Sequence, residues 1–179
     1  MNRSLSLVLA AALAAAVVPA LAQPAQAATT ACKIQPYGLI GARWQQLGGE
    51  KGKLGCPTTG ERDILMNGIG WAGRRQSFQY GQIAWSPKLG GKFVVASWQQ
   101  NGRSYVDWGR TDRAFDKFLV RYTSPSASQG VQRDVFGGFR GRYSVRVNTN
   151  GAYRWIVKGC DNGLFGSSCQ KYWSISVSS

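Results

Sequence analysis

Histidine is absent from all 179 residues of this chain. Without an imidazole there is no Ser-His-Asp or Cys-His relay and no histidine-held metal. Nor does any side chain ordinarily change charge in mildly acidic solution. Acids are scarce as well, eight Asp and Glu against 22 Lys and Arg. Only Glu50, Glu61 and Asp63 fall in the first half of the chain, too few for an obvious hydrolytic carboxylate pair. Glu61 and Asp63 alternate along one expected strand and face the same side; they read as surface acids that keep a basic protein soluble. No glycine loop carries a phosphate-binding lysine, and no dinucleotide fingerprint is present. No apolar run after residue 27 is long enough to span a bilayer. These absences argue against an enzyme: no catalytic residue, cofactor or metal is expected.

The first 27 residues read as an export signal. Arg3 supplies the positive start, residues 5–21 are apolar and alanine-rich, and Ala25-Gln26-Ala27 is a small-x-small cleavage site. Cleavage there leaves 152 residues, and losing Arg3 lowers the formal charge from +14 to +13. Four cysteines remain, which in an exported chain implies disulfides with three possible pairings. Because each pair sits inside one sequence segment, Cys32–Cys56 and Cys160–Cys169 are the expected bonds. The positive field suits a polyanion such as an anionic wall polymer or an acidic membrane surface. The basic residues are dispersed rather than run together, so nucleic acid is not expected.

Residues 28–36 form a short arm, 37–97 a glycine-dense domain and 98–179 a second domain of alternating strands. In the first domain, Leu39, Ile40, Trp44 and Leu47 are spaced for one face of a helix over 39–47, stopped by Gly48-Gly49. Short strands are expected at 63–66, 73–80 and 82–85, with Asn67-Gly68 as a hairpin turn. In the second, five strands each have an apolar face: Val106/Trp108, Phe118/Val120/Tyr122, Tyr143/Val145/Val147, Tyr153/Trp155/Val157 and Trp173/Ile175/Val177. Asn150-Gly151 marks the turn between the third and fourth. The pattern predicts a mainly β protein: a small glycine-rich domain with one short helix, plus an immunoglobulin/fibronectin-like β-sandwich.

The order Leu54-Gly55-x-Pro57-Thr58, then Phe78, Gly81, Ile83, Trp85-Ser86-Pro87 and Gly90, preceded by Ile40, Trp44, Leu47-Gly48-Gly49 and Gly52, resembles the LGFP repeat of secreted actinobacterial proteins. Cys56 stands where that repeat has phenylalanine, and there is one copy where the family often has several. The resemblance implies an extracellular, envelope-associated domain that grips wall polysaccharide. A weaker resemblance, to fibronectin type III, rests on Tyr105–Trp108, Phe118–Tyr122, Tyr153–Cys160 and Trp173–Val177. It implies that the Phe118 and Tyr153 strands are neighbours in one sheet.

Binding chemistry is better supplied than catalysis. Trp71, Phe78, Tyr80 and Trp85 offer flat faces to sugar rings, with Gln76 among them as a hydroxyl partner; Trp71, between glycines, is the best exposed candidate. In the second domain, strand alternation turns Lys117, Arg121, Arg154 and Lys158 outward on one face, with Arg133 beside them. The expected function is a secreted, non-enzymatic protein that binds cell-wall glycan or anionic envelope polymer. The alternative is an adaptor in a secreted assembly, acting on other secreted proteins.

Overall fold

A computed structural model describes residues 31–163 and 166–179; the expected export signal lies outside them. Ala31–Ser179 is one compact unit. Its described residues hold one α-helix, α1 (Gly38–Gln46), and eleven strands: β1 (Arg62–Met66), β2 (Gly70–Phe78), β3 (Gly81–Trp85), β4 (Val94–Gln100), β5 (Arg103–Trp108), β6 (Phe115–Ser124), β7 (Ala127–Gly138), β8 (Gly141–Arg146), β9 (Arg154–Gly163), β10 (Gly166–Cys169) and β11 (Val177–Ser178). They form two antiparallel sheets. Sheet A runs β1-β2-β3-β4-β5-β8; sheet B runs β10-β9-β6-β7, with β11 also on β9. The two stack as a sandwich, and α1 covers the outer face of sheet A. No helix among the described residues is long and apolar enough to cross a membrane.

Two cores follow from that layering. Between the sheets lie Ala84, Phe93, Val95, Val106 and Trp108 from the sheet A side, and Phe118, Val120, Trp155, Val157 and Val177 from sheet B. Between α1 and sheet A lie Ile40, Trp44, Leu54, Phe78, Ile83, Val94, Ala96 and Trp98. β4 belongs to both: Val95 faces the sandwich, while Val94, Ala96 and Trp98 face the helix. A strand buried on both faces has no polar alternation to reveal it. The expected boundary at Ser97 therefore falls inside β4, between partners on β3 and β5, and the sheet runs through it.

The helix begins and ends one residue before the expected span. Ile40 and Trp44 are buried, but Leu39 is turned outward and 38 % exposed. Both expected disulfides are present, Cys32–Cys56 and Cys160–Cys169. The first, with the Trp44 indole donating to the Gly55 carbonyl (2.8 Å), fixes the N-terminal arm and α1 to the loop before β1.

The expected strands are present with shifted ends, and three further ones join them: β4, β7 and the short β10. Asn67-Gly68 turns β1 into β2, with Gly68 at φ +74°. Asn150-Gly151 is not a hairpin turn, because β8 and β9 lie in different sheets. Of the last predicted strand only Val177–Ser178 is regular. Trp173 does not join Ile175 and Val177 in the core; it lies under Lys158, whose ammonium is 4.7 Å from the ring centre.

Candidate functional site

The predicted aromatic set divides. Phe78 (5 % exposed) and Gln76 (2 %) are buried, Phe78 against Trp44 of α1 and Gln76 against the Thr59 segment, out of reach of a ligand. The reason is strand parity: they share one face of β2 with Arg74, and the Pro57–Thr59 segment and Trp44 of the helix close over that face. Gln76 instead donates its amide to the Thr59 carbonyl at 2.9 Å. Tyr80 is 59 % exposed but sits at the far end of the β2–β3 hairpin. Trp71 and Trp85 come together, edge to face with ring centres 5.9 Å apart.

Around that pair is a pocket of about 220 Å³, lined by Tyr37, Leu39, Ile40, Glu61, Arg74 and Trp85, with Trp71 beside it. Tyr37 is 60 % exposed and Trp71 39 %. Arg74 is the hub. Its Nε donates to Asp63 Oδ1 (3.1 Å), its Nη1 to the Tyr37 hydroxyl (3.3 Å), and Glu61 lies 3.6 Å away. The Trp71 indole also donates to Asp63 Oδ1, at 3.0 Å. Trp85 is held by its indole bond to the Gly91 carbonyl (2.7 Å). These bonds fix both indoles in place, so the apolar walls and the polar groups are presented without further ordering.

A bulge puts these groups on one face. Asp63 pairs with Arg74 and Ile64 with Gly73, but Leu65 pairs with Trp71, so β2 carries an extra residue at that point. Without it, a one-residue slip would turn Trp71 to the opposite face. The bulge sits at Gly73, φ +136°, where an added Cβ would collide with the Trp85 carbonyl. Tyr37 and Arg74 are absent from the sequence-based candidates, since 37 residues separate them and only tertiary packing joins them. Asp63 and Arg74 carried a partial signal in the hairpin turn, but its register depends on the bulge.

The two acids differ. Glu61 is not a surface acid: its side chain is 7 % exposed, against 61 % for Asp63. Burial pushes the Glu61 carboxyl above the usual glutamate range, against the opposing pull of Arg74 and the Tyr37 hydroxyl. The Trp71 indole, then Arg74, hold Asp63 below the usual aspartate range. Carboxyl carbon shifts followed against pH are expected to give Asp63 the lower midpoint and Glu61 the higher; the opposite order would contradict this geometry. The signs for stability also differ. What Asp63 contributes is present above the ordinary aspartate range and lost as pH falls through its lowered midpoint. Glu61 favours the fold while protonated, and that advantage is lost as pH rises from the ordinary glutamate range through its raised midpoint.

The predicted cationic face is assembled on β6 and β9. The register sets Phe118, Val120, Trp155 and Val157 inward, and Lys117, Arg121, Arg154 and Lys158 outward on one surface of sheet B. Lys117 is committed to Asp134 at 2.9 Å, and Arg121 donates to the Gln129 carbonyl at 2.8 Å. Arg133 is not on that surface: it pairs with Val120 in register and so has the opposite parity. Cys32, Cys56 and Glu50 are the one group of metal-ligating types among the described residues, and both its sulfurs are in a disulfide.

A family model described as the LGFP repeat matches residues 54–111. The match spans β1 to β5 and takes in Glu61, Asp63, Trp71, Arg74 and Trp85. It starts after α1, so the resemblant residues from Ile40 to Gly52 precede it, and it runs past residue 97 through the shared strand β4. No curated protein and no solved structure matches the chain. The repeat occurs in secreted and envelope-associated proteins, and with the two disulfides it fits an extracellular protein.

Proposed function

We propose that this is a secreted, non-enzymatic protein of the cell envelope that binds wall polysaccharide in the Trp71–Trp85 pocket. The observation that carries the reading is two indoles and a phenol, partly exposed and held by hydrogen bonds, around Arg74, Glu61 and Asp63. Sugar rings have apolar C–H faces that pack on aromatic rings, while their hydroxyls pair with carboxylates and guanidinium groups. The LGFP match, which takes in Trp71, Trp85, Arg74, Glu61 and Asp63 but not Tyr37, supports it. Asp63 supports binding rather than hydrolysis, because one of its oxygens already accepts from both Trp71 and Arg74.

The test is Trp71→Ala. The side chain lies outside both buried cores, so the fold should hold. Sedimentation with protein-stripped cell walls is expected to show at least about a tenfold loss of affinity, equivalent to about 1.4 kcal/mol. Unchanged retention would remove the pocket from the function. The adaptor reading rests on a different observation, the edge strand β7 with Phe136 95 % exposed. An open strand edge bearing an apolar side chain is suited to pairing with another protein. Stable co-purification with secreted proteins, without wall retention, would favour it.

A further inference from the structure

The opposite end of α1 carries a second pocket, of about 430 Å³, between the helix and strands β5 and β8. Arg43, Arg140 and Arg142 line it, with Asp107 as its one carboxylate. It shares no lining residue with the Trp71–Trp85 pocket.

Asp107 is buried (side chain 8 % exposed) and divides its two oxygens. Oδ1 pairs with Arg43, and Oδ2 accepts from Arg142 Nε at 2.7 Å. Arg140 makes no ion pair among the described residues. Two guanidinium groups thus share one carboxylate and a third, that of Arg140, lines the same pocket, leaving two positive charges uncompensated in a concave site. Arg43 is itself 88 % buried along its side chain, since only 12 % is exposed, and its Nε is buried without a hydrogen-bond partner. Its pKa is lowered to about 10, by burial first and then by Arg142 and Arg140. A fourth cation, Lys53, lies over the Trp98 ring at 5.0 Å, with Arg142 over the same ring at 5.3 Å.

The positive track continues along the same face. Arg103 and Arg146 are direct cross-strand partners on β5 and β8, two rows of side chains beyond the Asp107–Arg142 pair. Like charges placed opposite one another are destabilising. Arg103 bonds to Ser144, and neither arginine has an acidic partner among the described residues. At about 3.4 Å per residue, the two cationic rows stand about 14 Å apart.

We propose that the Arg43/Arg140/Arg142 pocket binds a phosphate group, with Asp107 as the positioning residue that aims two of the three arginines. Arginine forks match phosphate oxygens in bidentate fashion, and a phosphate has enough oxygens to engage three guanidinium groups, where a carboxylate has two. The Arg103–Arg146 row, too distant for the adjacent phosphate, meets a later phosphate of the same chain when the group belongs to a polymer. The proposal goes beyond the glycan pocket and stands on separate residues.

The test is calorimetric titration of the mature protein with inorganic phosphate and, separately, with a glycerol phosphate oligomer. Arg140→Gln combined with Arg142→Gln is expected to weaken both at least about tenfold. Lys117→Gln, Arg121→Gln, Arg154→Gln and Lys158→Gln together change them less than about twofold. Tighter binding of the oligomer than of free phosphate, with Arg146→Gln erasing the difference, identifies a polymer as the source. Equal binding identifies the free ion. Absence of saturable phosphate binding, or equal losses from the two variant sets, overturns the proposal. If the double variant fails to fold, Arg140→Gln alone carries the test, because that side chain is exposed and supports no ion pair. Trp71→Ala leaves phosphate binding intact, so failure of the glycan pocket and failure of this site are separable.

Discussion

Replacing Trp155 with alanine is expected to lower the unfolding free energy by about 3–5 kcal/mol, the usual range for deleting a large core aromatic. Trp155 is fully buried and packs against Tyr122 (4.8 Å between ring centres) and Tyr143 (6.2 Å). It also crosses the sandwich: its indole on β9 donates to Ser104 Oγ on β5 at 2.8 Å. Ser104 Oγ in turn contacts Ser179 Oγ, also at 2.8 Å, beside β11. Truncation therefore opens a cavity and removes a bond joining both sheets to the chain end. Trp155→Phe separates these effects, keeping a ring while leaving Ser104 without its donor, at a cost of about 1–3 kcal/mol. Urea unfolding followed by fluorescence is the measurement; the midpoint should fall with little change in slope. A loss under about 1 kcal/mol for the alanine variant would show that the sheets are not held through this residue.

Dividing the chain at residue 97 is expected to abolish folding of residues 98–179. That fragment keeps Val106, Trp108, Phe118, Val120 and Trp155 but loses Ala84, Leu89, Phe93 and Val95, which cover them from the other side. It also strips β5 of its ladder to β4 over half of its length. A two-sheet fold missing most of one sheet cannot bury enough apolar surface to offset the entropy of ordering the rest. The fragment should show no near-ultraviolet circular dichroism and little amide dispersion, while the intact mature protein unfolds in one transition. A folded fragment with its own cooperative melt would restore two separable domains.

The sandwich was legible because its strands are amphipathic. Phe118/Val120/Tyr122 and Tyr153/Trp155/Val157 each present an apolar residue at every second position, so the inward set can be read off the chain. The outward set of Lys117, Arg121, Arg154 and Lys158 follows from the same parity. β4 and β7 escaped that logic for opposite reasons. Every residue from Val94 to Trp98 is buried, so the run has no polar phase. Along β7, an edge strand, Gln132, Arg133, Asp134 and Phe136 are all exposed, and the apolar phase is weak.

The binding groups were partly visible. Trp71 reads as exposed because glycines flank it, and it is. Gln76 and Phe78 read as members of the same aromatic surface, but the Thr59 segment covers the first and the helix the second. Sequence distinguishes the two faces of a strand without saying which face another element will cover.

The chain alone determined the β class, the two disulfides, the excess of positive charge and the absence of any imidazole chemistry, because these depend on composition, periodicity and short-range spacing. Tertiary structure decided that one sheet joins the two halves, that a bulge at Gly73 keeps Trp71 on the face of Trp85, and that Tyr37 meets Arg74. It also decided that Arg43 reaches across from the helix to Asp107, so that Arg43 and Arg142 share a single acid in a pocket that Arg140 also lines. Each of these depends on register and layer packing between distant segments, where a shift of one residue reverses the face a side chain presents.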